Sequence, residues 1–324
     1  MIQGTPYRIP FLIGAYVGLE ITGASVKDSV TNPIAQAEAV LALHNRFQTH
    51  FLPTAMDLSA EAEAFGCQVR VSDDEIPTVI GRLVTNEDGI DLLAIPAVGE
   101  KRTAVHLKTA EILIKQATNL PVFAGVIGPF SLAGRILGES DTLMLSLMNP
   151  LILEKLLIKV TRFLIDYIKA FRTLGVDGVI MAEPAAGLLS PRGLSKFSSR
   201  FVKQIMDETQ NECFSLIYHN CGAKLVHLPN ILETGADIFH FGAPMEIKKA
   251  LEQVDKNIIL AGNLDPISVF HSGTVTEVIT HTQSLLNLTS GFSNFIISSG
   301  CDIPPHTPIR NLEAFYSTVM DFSK

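Results

Sequence analysis

At 324 residues the chain can bury a large core, and that length suits one α/β barrel domain, residues 1–324, better than two small domains. A formal net charge of −8 and a sequence pI near 5.6, with no basic stripe, argue against non-specific attraction to nucleic acid. Hydrophobic residues make up 47% and charged residues 18%, with Gly and Pro spread along the chain, so no disordered or low-complexity tract is expected and the partners are small molecules or another protein.

Taken from the N-terminus, MIQGTPYRIPFLIGAY has no basic segment leading into an apolar run and a small-residue cleavage site, so a cytoplasmic location is expected. Short β-rich runs bounded by Gly, Pro or Asn then recur at 10–16, 49–55, 121–128, 176–183, 213–220, 236–243, 257–263 and 294–301, which makes eight candidate strands. Segments of 3.6-residue apolar periodicity lie between most of them, at 32–48, 150–174, 192–210, 224–234, 247–254 and 275–288, with a last helix at 308–322. Ser190-Pro191 and Gly273-Thr274, the latter followed by Glu277, are helix starts. The most apolar stretch, 143–168, is broken by Asn149, Pro150, Glu154, Lys155, Lys159 and Arg162 and reads as a helix pair, with no membrane span.

Strand and helix in regular alternation give parallel pairing, and eight such strands are the count of a closed (β/α)₈ TIM barrel. The gap between the second and third strands is too long for one crossover, so 57–119 is expected to carry extra helices and a hairpin on the barrel rim. A doubly wound open sheet is the alternative; near-even spacing and the lack of an early G-x-G-x-x-G favour closure.

Barrel active sites lie where strand C-termini feed the βα loops. The fifth strand ends in Tyr218-His219-Asn220-Cys221-Gly222, where His219 and Cys221, two apart, share a face of extended chain. The eighth ends in Ser299-Gly300-Cys301-Asp302 and opens onto the same mouth. Two thiolates and an imidazole with a vacant fourth position form a Cys₂His set of the catalytic zinc type, and soft sulfur favours Zn²⁺ over Mg²⁺. By itself H-x-C is a weak signal, and a buried cysteine beside a core histidine is the bland reading. In a reducing cytoplasm four cysteines do not imply disulfides; Cys67 and Cys213, away from strand C-termini, are read as structural.

The run His219-Asn220-Cys221-Gly222, with Ser299-Gly300-Cys301-Asp302-Ile303-Pro304-Pro305-His306-Thr307-Pro308, resembles the zinc motif of the methylcobamide:coenzyme M methyltransferases of the uroporphyrinogen decarboxylase superfamily. Asp57-Leu58-Ser59-Ala60-Glu61-Ala62-Glu63-Ala64-Phe65-Gly66, Gly128-Pro129-Phe130-Ser131-Leu132-Ala133, Glu183-Pro184-Ala185-Ala186 and Gly262-Asn263-Leu264-Asp265-Pro266 are similar to that superfamily as well. The resemblance implies a (β/α)₈ barrel, His219, Cys221 and Cys301 as zinc ligands, and methyl transfer from a methylated corrinoid on a separate corrinoid protein to a zinc-bound thiolate, with coenzyme M as the suggested thiol. The decarboxylase branch is less similar, because its arginine-rich N-terminal motif has only Arg8 to match it in 7–20.

Related thiol methyltransferases often place an acidic residue near the end of the sixth strand as a resting fourth ligand, whereas this chain reads Phe239-His240-Phe241-Gly242. His240 is therefore a candidate fourth ligand, against a core-histidine reading. Asp57, Glu183, Asn263 and His306 are the substrate-binding candidates; Glu183 could equally cap a loop, and Asp265-Pro266 reads chiefly as a helix start. Two competing functions stand beside methyl transfer: a metal-free decarboxylase of tetrapyrrole carboxylates, and a non-catalytic corrinoid-binding module.

Overall fold

The computed structural model describes residues 8–117 and 119–322. Residues 1–7, the start of the N-terminal segment read above, lie outside it. All eight expected strands form: β1 (Pro10–Phe11), β2 (Leu52–Pro53), β5 (Val122–Ile127), β6 (Gly178–Ala182), β7 (Ser215–Asn220), β8 (Ile238–Phe241), β9 (Ile259–Leu264) and β10 (Phe295–Ser299). They make one parallel sheet in the order β1-β10-β9-β8-β7-β6-β5-β2. The stretch 57–119 supplies the antiparallel hairpin of β3 (Gln68–Arg70) and β4 (Thr78–Ile80), with helices Ala60–Phe65, Glu87–Leu92 and Thr103–Gln116.

The sheet curls until its two ends meet, and a single apolar cluster fills the interior. Phe11, Phe51, Met56, Ile180, Ile217, Ala261 and Ile296 belong to it, joined by Phe123, Ile238 and Ile259, so each strand or its immediate flank contributes. This is the packed interior of a (β/α)₈ barrel. Among the described residues no ladder joins β1 to β2. Leu52 and Thr54 donate their N–H groups to Pro121 and Phe123, so the nitrogen of Pro53 faces the seam with no proton to give. The rings of Phe11 and Phe51, stacked with centroids 4.1 Å apart, close the seam instead.

Both seam strands are shorter than the 10–16 and 49–55 expected; β1 ends early as the chain turns into a 3₁₀ segment, Ala15–Gly18. Helix Pro150–Leu174 buries Leu153, Leu156, Leu157, Val160, Phe163, Leu164, Tyr167, Ile168 and Phe171, a stripe with helical spacing, and stops at left-handed Gly175 (φ 93°). With Glu139–Met148 it forms the expected helix pair, and no described helix is long and apolar enough to cross a membrane. Helix Pro129–Leu137 was not expected, since residues 129–134 are buried throughout and show no polar face to set a period.

Glu61 sits 2% exposed in helix Ala60–Phe65 and accepts from the Ile127 N–H at 3.0 Å through one oxygen, while its second carboxylate oxygen has no hydrogen-bond partner. Burial pushes its carboxyl up from 4.5 to about 7. The native state thus binds this proton more tightly than the unfolded chain, so the group's contribution is complete below about pH 4.5 and is lost as pH rises through about 7. Glu61→Gln should be more stable than the parent by about 1–3 kcal/mol at roughly pH 8, with a smaller gap at about pH 5, in paired denaturant melts. An equal gap at both pH values would show that the carboxyl's ionisation is not the cause.

Candidate metal centre

β7 carries His219 inward one layer above Ile217, and Cys221 follows directly after the strand end, so alternation keeps both on the barrel axis side. Cys301 arrives from the loop after β10. Between them the backbones of three loops touch. A Cβ on Gly242 would stand 2.2 Å from the Cys221 carbonyl oxygen, and one on Gly300 would stand 3.0 Å from the Gly242 Cα. Side chains at these positions would hold the two cysteine loops apart.

Brought together in this way, one ligand atom each from His219, Cys221 and Cys301 lies within 4.8 Å of the others. His219 is 2% exposed, and its Nε2 has no hydrogen-bond partner although it is buried. A buried imidazole nitrogen left bare beside two thiols is what a soft divalent ion would satisfy, so the residues present fit Zn²⁺. The thiols are unequal. A hydrogen bond from Cys301, together with the neighbouring His219, holds the Cys221 thiol well below its usual value despite burial. Cys301 is pushed far up by that same thiol, by burial and by Asp302.

His240, expected as a candidate fourth ligand, lies behind the cluster and not in it. It is completely buried; its Nδ1 is 2.8 Å from the Nδ1 of His219 and its Nε2 is 2.7 Å from the Ser298 hydroxyl, so both ring nitrogens are taken. Burial, followed by the nearness of His219, lowers its pKa well below 6.5, so the ring is neutral.

The three ligand candidates open onto a cavity of about 600 Å³, walled by Met56, Leu58, Ile76, Val79 and Ile267 among others. None of the four expected substrate-binding residues lines it. Asp57 is buried in an ion pair with Arg102, which also binds Glu63 at 2.7 Å, and it accepts from the Ser59 hydroxyl at 2.6 Å. Glu183 receives the N–H groups of Phe130 (2.9 Å) and Ser131 (2.8 Å) and the hydroxyls of Ser131 and Ser198, anchoring helix Pro129–Leu137. Asn263 ties β9 to the loop after β8 by donating to the carbonyls of Gly242 and Met245. His306 is exposed at the rim, 3.0 Å from Glu20.

Asp265 caps the segment Pro266–His271, accepting from Ile267 and Ser268 as a helix start should, and it also reaches the cavity wall. Three residues at the site are not evident from the sequence pattern. Arg135 lines the cavity and pairs with Glu139 at 3.1 Å. Asp302 also lines it, with neither carboxylate oxygen hydrogen-bonded, and burial raises its pKa to about 7. Ser298 bonds His240. Only Asp302 had a signal in the sequence, its place beside Cys301. Arg8, the lone arginine of the N-terminal segment, donates to the carbonyls of Thr289 (2.6 Å), Phe292 (2.8 Å) and Phe295 (3.2 Å), at the start of β10 and away from the mouth.

The family model "Uroporphyrinogen decarboxylase (URO-D)" matches residues 5–322. The chain is 28% identical over 299 residues to a methylcobamide:CoM methyltransferase, MtbA, of Methanosarcina acetivorans, covering 91% of this chain and 86% of that one. A uroporphyrinogen decarboxylase of Coxiella burnetii is 26% identical over 304 residues, covering 90% and 82%. A solved methyltransferase from Methanosarcina mazei superposes with a TM-score of 0.86 at 22% identity, over 98% of this chain and 95% of that one, and shares its barrel. From a match that runs through nearly the whole barrel, the chain belongs to the uroporphyrinogen decarboxylase family.

Proposed function

We propose that this protein is a methyltransferase in which His219, Cys221 and Cys301 hold Zn²⁺, and that it moves a methyl group from a methylated corrinoid, carried by a partner protein, to a small anionic thiol. The observation that carries this reading is the bare, buried Nε2 of His219 beside two cysteine sulfurs at the floor of an apolar cavity. The relatives named as methylcobamide:CoM methyltransferases support the donor and acceptor classes.

A free alkyl thiol is mostly protonated at neutral pH, whereas the thiolate is the nucleophile. Bound at these residues, Zn²⁺ supplies the Lewis acidity that lets an acceptor thiol lose its proton. The protein's part follows from its own groups. As thiolates, Cys221 and Cys301 offset both charges of a divalent ion, and neutral His219 adds none, so an acceptor sulfur arriving there keeps its electron density. Met56, Leu58, Ile76 and Val79 make the wall near the sulfurs apolar, which limits the water that can compete there. Arg135 is the one Lys or Arg among the described residues lining the cavity; one of its nitrogens pairs with Glu139 at 3.1 Å, and its remaining N–H groups suit the sulfonate of coenzyme M or a similar anion. Decarboxylation of a tetrapyrrole carboxylate is less well served, because that single guanidinium would face several carboxylates and Arg8 is spent on backbone carbonyls.

Purified protein should hold about one zinc per chain and methylate coenzyme M from methylcobalamin, followed by cobalamin absorbance. Cys221→Ala and Cys301→Ala should each lose the metal and the turnover while keeping the barrel's circular dichroism. Full activity in a metal-free preparation would rule the proposal out. Arg135→Leu should raise the KM for coenzyme M by roughly tenfold or more and leave that for uncharged 2-mercaptoethanol unchanged; an equal effect on both thiols would remove Arg135 from acceptor recognition. Gly242→Ala, whose methyl would meet the Cys221 carbonyl at 2.2 Å, should cost about 1–3 kcal/mol of stability and weaken zinc retention. Unchanged metal affinity in that variant would show that the loops can part without moving the sulfurs.

A further inference from the structure

We infer that His240 and Ser298 form a directional hydrogen-bond chain behind the metal centre that fixes His219 in the one tautomer able to bind a metal through Nε2. The inference rests on the zinc reading above and extends it to residues that touch neither metal nor substrate.

The chain can be followed proton by proton. The Ser298 hydroxyl donates to the carbonyl of its neighbour Ser299 at 3.0 Å, which commits its one hydrogen. Toward His240, 2.7 Å away, the serine oxygen can then only accept, so His240 carries its proton on Nε2. That leaves the His240 Nδ1 as a lone pair 2.8 Å from the Nδ1 of His219, and two imidazole nitrogens at that distance share one proton. It must sit on His219 Nδ1, and the His219 Nε2 is then the bare lone pair found buried without a partner among the sulfurs.

The barrel supplies the geometry. His219 and His240 are register partners on neighbouring strands β7 and β8. Ser298 lies beyond β9, and the residue in register with His240 on that strand is Ala261, whose single methyl leaves His240 room to reach across. Phe11 packs against the His240 ring, with centroids 5.9 Å apart, and the ring has no exposure to water that could compete. With Ser298 rotated the other way the polarity would reverse, placing a hydrogen on His219 Nε2 and blocking coordination. The Ser299 carbonyl is what selects between the two directions. Partners of this kind behind a metal-bound histidine set its tautomer and orientation.

Full-length protein and three variants test this by zinc affinity, measured by competition with a chromogenic chelator, and by ¹⁵N-histidine spectra of the zinc-loaded protein. His240→Leu, which removes the acceptor, should weaken zinc binding roughly tenfold to hundredfold. His240→Asn, whose Oδ1 can stand near the position of Nδ1, should recover most of that loss. Ser298→Ala should weaken binding several-fold, and it tests the chain in place of His240→Leu should that variant not fold, as checked by circular dichroism. The spectra should show the His240 proton on Nε2. Wild-type affinity in a folded His240→Leu or Ser298→Ala protein, or a His240 proton on Nδ1, overturns the chain while leaving the zinc reading intact. Wild-type protein that retains no zinc overturns both.

Discussion

The approach of three loop backbones at the barrel mouth is the constraint on which the centre depends. Cys221 and Cys301 follow strands separated in the sheet by β8 and β9, and side chains alone would not bridge that span. Gly242, pressed on the Cys221 carbonyl, and Gly300, pressed on Gly242, remove the atoms that would otherwise hold the two sulfurs apart. Any side chain at position 242 would press on the Cys221 backbone and displace it.

Behind that contact the barrel supplies graded support. A layer of Ile217, Ile238 and Ile296 packs below; His219, His240 and Ser298 form a hydrogen-bonded layer above it; the sulfurs open onto the cavity. Polarity increases toward the mouth, and each buried donor in the middle layer has a use. The fold that the family shares does not decide the chemistry. The features that bear on the chemistry proposed for this chain are local: two cysteine sulfurs, largely apolar walls, and Arg135 at the side of the cavity.

The sequence made the barrel legible because its strands are short apolar runs set off by Gly, Pro and Asn, and because helices such as Pro150–Leu174 keep a clean period. The ligand candidates were legible for a related reason: strand ends fix which residues face the mouth, and His219 and Cys221 share a parity. The expected substrate contacts fared differently, since their partners are remote in the chain. Asp57 is claimed by Arg102 and Glu183 by the start of helix Pro129–Leu137, pairings 45 and about 53 residues apart that no local pattern announces. His240 was visible as a histidine facing inward, but its use depends on Ser298, 58 residues later. Arg135 was hidden in a helix whose apolar run concealed the helix itself.

The aromatic closure between β1 and β2 differs in kind from the rest of the barrel wall. Backbone hydrogen bonds run unbroken from β7 through β8 and β9 to β10, the arc that carries every ligand candidate. The join held by Phe11 and Phe51 lies outside that arc, one strand past β10. The circumference is thus closed by ring packing at one point and by continuous backbone ladders along the arc that carries the ligand candidates.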